Sequence, residues 1–188
     1  MIPWQDFPWD DSETSQYFSK NGSNHFRHFL EEHGKYLTRL EQIPHTVSHG
    51  DTFPTNFRSR RVYRGQEQTI AIDWAQAGIA PLGDDLGQLV YGTCMNLKAY
   101  KMQDISQTLF TSYINGLQDS GCRVEPELVR FGYVASAAFR VGLFKLSMLQ
   151  EEFEKNGKRF HPNLISPAAV DSLESVMAEE AHQLLDHI

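Results

Sequence analysis

The second half of the chain is the most constrained part, because from Asp84 onward its apolar residues recur with the period of an α-helix. Pro126 and Pro167 each stand where a helix would begin, and Gly121 and the pair Asn156-Gly157 interrupt the periodicity. The pattern predicts four helices, which span about 85–97, 105–118, 126–154 and 166–185. Helices with one apolar face must bury that face against each other, so the sequence predicts a mainly helical body.

The first 84 residues mix helix with short strands. Residues 24–43 form a predicted helix that Pro44 ends, and its apolar face consists of Phe26, Phe29, Leu30, Leu37 and Leu40. Strands are predicted at 46–49, 57–63 and 69–74, with residues 64–67 as the turn of a hairpin between the last two. Gly78, Pro81 and Gly83 indicate a loop before the helical half.

Residues 1–23 show no clean period and are rich in Trp, Asp, Pro and Ser, so we expect a loop or an extended lead-in. Trp4, Phe7 and Trp9 are costly to expose, and we expect them to dock on an apolar surface, one option being a surface outside this chain. The predicted fold class is α+β, mainly α: a helical bundle that carries a small β hairpin. The predicted domains are a lead-in at 1–23 and one globular unit at 24–188.

The amino-acid composition narrows the classes of partner that we expect for this chain. The chain has 188 residues, a formal net charge of −7 and a pI near 5.6, which disfavours nucleic acid as a partner and is compatible with a cationic small substrate. Cys94 and Cys122 form neither a CxxC pair nor a metal spacing, so a reducing cytoplasmic compartment is expected. No apolar stretch is long enough to span a bilayer, and the N-terminus lacks the features of a signal peptide, so no membrane partner is expected.

The polar residues that suggest chemistry lie around the first two strands. His49-Gly50-Asp51 is followed by Asn56, five positions after the aspartate, and Ile72-Asp73-Trp74 comes at the end of a later apolar strand. Protein kinases use an Asp with an Asn five positions later, and a second Asp after a strand, to meet the hydroxyl nucleophile and to hold metal ions. The spacing therefore favours phosphoryl transfer.

Together these segments resemble the aminoglycoside phosphotransferase and choline kinase superfamily, which has a protein-kinase-like fold. The segment Gly83-Asp84-Asp85-Leu86-Gly87 resembles the start of the helix that follows the metal-binding strand in that family. The resemblance covers roughly residues 24–120 and implies the C-terminal lobe of an ATP-dependent (or GTP-dependent) enzyme that transfers the γ-phosphate to a small hydroxyl-bearing substrate.

The resemblance also implies roles for individual residues. Asp51 would be the catalytic base or would orient the substrate hydroxyl, and Asn56 and Asp73 would bind Mg²⁺ together with the nucleotide phosphates. His49 and Asp85 would steady the loop, and Asp85 would also cap its helix. Ile72 would form an apolar floor under the adenine.

Two features depart from the family. Phe53 stands where the family often has His, and Thr55 stands where it often has Gly. In addition, no glycine-rich phosphate loop occurs, and we expect the N-terminal nucleotide lobe to be absent. The favoured interpretation is a fragment or the product of an interrupted gene, and the alternative is a catalytically inactive, lobe-only scaffold or binding module. The chain alone is expected to be inactive, because half a cleft does not position ATP.

Two weaker patterns have simpler interpretations. His25, His28 and His33 lie on the first predicted helix and suggest a metal site, but a solvated helix face is favoured because His33 points away from the other two. Arg58 and Arg60 share one face of the hairpin, where an exposed face is favoured over a phosphate site.

Overall fold

A computed structural model describes residues 4–11, 20–61, 65, 67–96, 102–155 and 173–188. The described helices are α1 (Lys20–Glu31), α2 (His33–Gln42), α3 (Asp84–Asn96), α4 (Met102–Asp119), α5 (Pro126–Lys155) and α6 (Leu173–Leu185). The strands are β1 (His45–Ser48), β2 (Phe57–Arg61), β3 (Glu67–Ala71) and β4 (Gly78–Pro81). Single 3-10 turns cover Trp4–Asp6, Pro54–Asn56 and Trp74–Gln76. The predicted mainly helical α+β class is confirmed.

The strands form two antiparallel ribbons. β2 pairs with β3 as the predicted hairpin, with Phe57 opposite Ala71, and β1 pairs with β4, with Val47 opposite Ile79. The loop prediction for the β4 segment was wrong, because its pairing with the distant β1 leaves no mark in the local sequence pattern. The strand predicted to reach Trp74 ends at Ala71, and Asp73 adopts a left-handed backbone conformation with φ of 63°.

The single helix predicted for residues 24–43 is two helices. The break falls at Glu32, whose φ of −97° and ψ of 12° are not helical. In α2 Tyr36 is fully buried while Leu37 is 45% exposed. The prediction that Leu37 faces the core was therefore wrong. Residues 166–172, at the start of the last predicted helix, lie outside the described residues, and so do residues 62–64 of the predicted hairpin.

The aromatic residues of the N-terminal segment pack on this chain itself. Phe7 and Trp9 are buried, their ring centroids lie 4.8 Å apart, and the Trp9 ring lies 6.2 Å from that of Phe26 in α1. The Trp9 indole N–H donates to the carbonyl oxygen of Trp4 at 3.0 Å. The suggestion that these residues dock on a surface outside the chain is therefore wrong for Phe7 and Trp9.

The long helix α5 forms the centre of the body and passes close to the segment that leads into α3. An added Cβ on Gly132 would lie 2.1 Å from the carbonyl oxygen of Leu82, so only glycine permits this approach. Nearly every residue of α5 between Phe131 and Ala138 is fully buried. The start of α3, and the loop that it holds, thus rest on a densely buried part of the core. None of the described helices is both long and apolar enough to cross a membrane.

Candidate active site

The loop between β1 and β2 joins two of the predicted site residues. The side-chain amide of Asn56 donates both to the carboxylate Oδ2 of Asp51, at 2.9 Å, and to the carbonyl oxygen of Asp51, at 2.8 Å. Because a carboxylate only accepts hydrogen bonds, the amide nitrogen must face Asp51. The amide oxygen of Asn56 and the second carboxylate oxygen of Asp51 are then the atoms available to a ligand.

His49 forms hydrogen bonds that connect this loop to the segment that carries Asp73. Its Nδ1 accepts from the backbone amide of Asp51 at 3.3 Å, and its Nε2 donates to the carbonyl oxygen of Ile72 at 2.9 Å. These two bonds require the neutral tautomer with the proton on Nε2. The Trp74 ring covers the imidazole with a centroid distance of 4.5 Å, and His49 itself is buried. The histidine is therefore held in a fixed orientation.

Asp73 is placed next to Asn56 by the backbone. The amide of Ile72 donates to the carbonyl oxygen of Asn56 at 3.0 Å, which continues the β2–β3 register by one residue. Asp73 follows directly, and its side chain is exposed. An amide oxygen and a carboxylate at neighbouring backbone positions are oxygen ligands of the kind that Mg²⁺ prefers, so the donor chemistry fits that ion. Ile72 is 38% exposed.

Asp85 holds the other end of the loop. Its carboxylate accepts from the Ser48 hydroxyl at 2.8 Å, from the His49 amide at 2.9 Å and from the Gly50 amide at 3.1 Å. Although Asp85 is the second residue of α3, its carboxylate accepts these three hydrogen bonds from the loop. Three donors on one carboxylate fix the backbone immediately before Asp51.

The backbone at Gly50 shows why glycine occupies this position. Its φ is +75°, and an added Cβ would lie 2.2 Å from the carbonyl oxygen of Gln76. A larger residue would be strained and would displace the turn that follows Asp73. The two parts of the candidate site thus touch through Gly50.

Several residues that the sequence did not single out support the same loop. The Arg140 guanidinium of α5 donates to the carbonyl oxygen of Gly50 at 3.0 Å and lies 3.5 Å from the carboxylate of Asp84. The Thr52 amide donates to the side chain of Gln88 at 2.9 Å. A signal for Asp84 was present in the paired acids at the start of α3, whereas Arg140 and Gln88 have no local sequence signature.

The residue that precedes α3 is also held by a partly buried phenol. The amide of Gly83 donates to the Tyr113 hydroxyl of α4 at 3.2 Å. Burial raises the pKa of Tyr113, and the nearby carboxylates of Asp85 and Asp84 act in the same direction. Tyr113 thus stays a neutral partner beside the two acids.

The position that departs from the family pattern packs on α3. Phe53 lies with its ring centroid 6.3 Å from that of Tyr91, and an added Cβ on Gly92 would lie 2.7 Å from the Phe53 ring. Phe53 therefore fills an apolar contact between loop and helix. Thr55 is exposed.

A cavity of about 720 Å³ lies beyond the loop, between α2 and α5. Asp84 and Arg140 form its polar end, and Leu37, Leu40, Phe139 and Leu143 are among its apolar lining residues. The residues that line this cavity do not include Asp51, Asn56 or Asp73. The cavity therefore borders the residues that hold the loop without including the candidate reactive groups.

The histidines of the first two helices separate in the structure. His25 lies 3.6 Å from the Glu179 carboxylate, and His33 Nδ1 is 2.9 Å from the carbonyl oxygen of Leu30. His28 instead faces Glu32 and the distant His182. The side chains of Arg58 and Arg60 are exposed, in line with the exposed hairpin face that was favoured.

No protein-family model, no curated protein and no solved structure matches the chain.

Proposed function

We propose that the chain is the C-terminal lobe of an ATP-dependent or GTP-dependent small-molecule O-phosphotransferase, related to the aminoglycoside phosphotransferases and choline kinases. The observation that carries the proposal is the hydrogen-bonded pair of Asp51 and Asn56, on a loop whose backbone is fixed by Asp85 and by His49. The pair combines a carboxylate with one unbonded oxygen and an amide whose oxygen is turned away from it. Phosphoryl transfer uses this combination to position the nucleophile beside the metal ion.

In this proposal Asp51 orients the acceptor hydroxyl and takes its proton. The acceptor oxygen bonds to the γ-phosphorus, the bond from that phosphorus to the β,γ-bridging oxygen breaks, and the nucleoside diphosphate leaves. Asn56 and Asp73 would hold Mg²⁺, which would supply positive charge against the phosphates. The remaining residues of the loop hold these groups in place, which is most of what the protein contributes to such a reaction.

A second lobe or partner chain is part of the proposal. Val47 and Ile79 are opposite each other across the β1–β4 ribbon and are 65% and 71% exposed, and Trp74 is 52% exposed. Large apolar side chains that cluster on a surface commonly mark an interaction site. A nucleotide lobe, in the same polypeptide or in a partner, would cover this face and complete the cleft, with Ile72 as the apolar floor under the base.

The same exposed face favours one alternative, an inactive scaffold whose partner covers the ribbon. The two candidates differ in the use of Asp51. In a transferase the Asp51 carboxylate acts on the acceptor, whereas in a scaffold it only accepts from Asn56. The alternative therefore predicts no metal-dependent nucleotide binding, with or without a covering lobe.

The test is Mg²⁺-dependent binding of ATP and GTP by isothermal titration calorimetry, on the chain alone and with a covering nucleotide lobe supplied. Asp73→Ala is expected to abolish the metal-dependent part, and Asp119→Ala, an exposed acid at the end of α4, is the matched control for the charge change. Asp51→Asn is expected to retain nucleotide binding but to lower phosphoryl transfer to amino alcohols about 10²–10⁴-fold. Equal binding by the parent and by Asp73→Ala with the covering lobe present would overturn the proposal.

A further inference from the structure

Two helical segments that are distant in sequence bring three potential metal ligands together. His28 in α1 and Glu32 at the α1–α2 turn are four residues apart and share a helix face, and His182 comes from α6. One ligand atom from each of the three lies within 4.8 Å of the others. The imidazole rings of His28 and His182 have centroids 5.2 Å apart, at an interplanar angle of 75°.

The distances are close to those of a bound ion. His28 Nε2 lies 3.4 Å from Glu32 Oε2, and His182 Nδ1 lies 4.0 Å from the same oxygen. Two ligands on a tetrahedral zinc ion, with bonds of about 2.0–2.1 Å, are separated by roughly 3.3 Å. His28 Nε2 and Glu32 Oε2 already have this spacing, whereas His182 Nδ1 would have to move closer to Glu32 Oε2.

The Oε2 atom of Glu32 lies near a ring nitrogen of each histidine. Glu32 uses its other carboxylate oxygen for Lys35, so Oε2 remains directed at the histidines. The Tyr36 hydroxyl lies 3.2 Å from His182 Nδ1, so a metal ion at this atom would replace that contact. The side chains of His28 and His182 are about half exposed, at 52% and 44%, so an ion and a water molecule can enter from solvent.

We propose that His28, Glu32 and His182 form a zinc site that fastens α6 to the α1–α2 turn, with water as the fourth ligand. Two imidazole nitrogens with one carboxylate oxygen suit Zn²⁺ better than Mg²⁺ or Ca²⁺, which favour oxygen ligands throughout. His25 and His28 both lie on an exposed helix face, as the sequence favoured, and the structure adds the contact of His28 with His182, which lies 154 positions away in the chain. The zinc site does not depend on the phosphotransferase activity.

The first test measures Zn²⁺ affinity by competition with a chromophoric chelator, on the full chain purified without a polyhistidine tag. One Zn²⁺ per chain is expected. His28→Gln and His182→Gln are each expected to weaken binding at least about tenfold. His25→Gln is the matched control, since His25 lies on the same helix beside a glutamate but outside the group. Unchanged affinity in His182→Gln, or no binding by the parent chain, would overturn the site.

Two further variants test the assigned ligand atom of His182 and the independence of the zinc site from the candidate active site. Tyr36→Phe removes a neighbour that competes for His182 Nδ1, so it is expected to retain the affinity, and a loss equal to that of His182→Gln would contradict the assigned ligand atom. Asp73→Ala is expected to bind Zn²⁺ like the parent, which separates this site from the proposed Mg²⁺ site. Co²⁺ substituted for Zn²⁺ is expected to give the intense visible absorption of a tetrahedral centre, and an octahedral spectrum would contradict the geometry.

Discussion

Removing the Asp85 carboxylate is expected to release the loop that carries Asp51, and the three hydrogen bonds it accepts allow the cost to be worked out. In Asp85→Ala the Ser48 hydroxyl can turn to Asp84, which it already approaches at 3.3 Å. The Gly50 amide keeps a contact to the Ser48 oxygen at 3.2 Å. Only the amide of His49, a buried residue, loses its acceptor outright.

One orphaned buried amide costs about 1–3 kcal/mol, and weakening two charge-assisted bonds adds roughly 1 kcal/mol. The expected loss in the free energy of unfolding is therefore about 2–4 kcal/mol, which a domain with about 5–15 kcal/mol tolerates. Asp85→Asn is expected to fall between the parent and Asp85→Ala, because its amide NH₂ places one donor against the loop donors.

Urea unfolding followed by circular dichroism measures the global loss, and amide hydrogen exchange at His49 and Gly50 measures the local one. Exchange is expected to accelerate at both amides, more at His49. Asp119→Ala changes the charge equally on an exposed site and is expected to stay within about 0.5 kcal/mol of the parent. A loss below about 1 kcal/mol for Asp85→Ala, with unchanged exchange at His49, would refute the role of Asp85 in holding the loop.

Three further outcomes concern the helical body. Gly132→Ala is expected to lower the free energy of unfolding by about 1–3 kcal/mol, because its Cβ would meet a backbone oxygen at 2.1 Å. Gly116 has open space around it, so Gly116→Ala is expected to raise the free energy of unfolding by up to about 1 kcal/mol. Urea midpoints that move in the same direction for the two variants would contradict the packing at Gly132. Burial raises the pKa of Tyr133 to about 12, so the native state retains a proton that the unfolded state loses, and its contribution to stability is expected to be complete below about pH 10 and to be lost as the pH rises toward 12. Tyr133→Phe should show a shallower alkaline loss in urea titrations, and an unchanged slope would count against this. Burial also raises the pKa of Cys94, so a thiol reagent is expected to label Cys122 first and Cys94 only on unfolding; equal rates would contradict this.

The helices that could be predicted are those whose signals are local. α3, α4 and α5 have a regular apolar period, and a proline or acidic residues mark where α3 and α5 begin. β4 could not be predicted, because a four-residue strand gains its structure from a partner strand about thirty residues earlier. The break at Glu32 was also missed, since glutamate favours helices.

The residues of the candidate site also divide into those with a local sequence signal and those without one. Asp51, Asn56 and Asp73 were identified because the spacing of a short loop and a strand is a sequence property. Arg140 was not, because the residue it holds is 90 positions away and nothing in α5 distinguishes it from other arginines. The contact of His28 with His182 likewise depends on how α1 and α6 pack, which a pattern confined to one helix does not contain.

The central claim is that Asn56 and Asp73 hold a metal–nucleotide pair beside Asp51. The most direct measurement adds Mn²⁺ with ATP to ¹⁵N-labelled protein, with a covering nucleotide lobe supplied, and follows the paramagnetic broadening of backbone amides. Mn²⁺ replaces Mg²⁺ at oxygen ligands. We expect broadening centred on residues 51–56 and 72–74, dependent on ATP and absent in Asp73→Ala. ATP-dependent broadening centred elsewhere, or none at this loop, would contradict the claim.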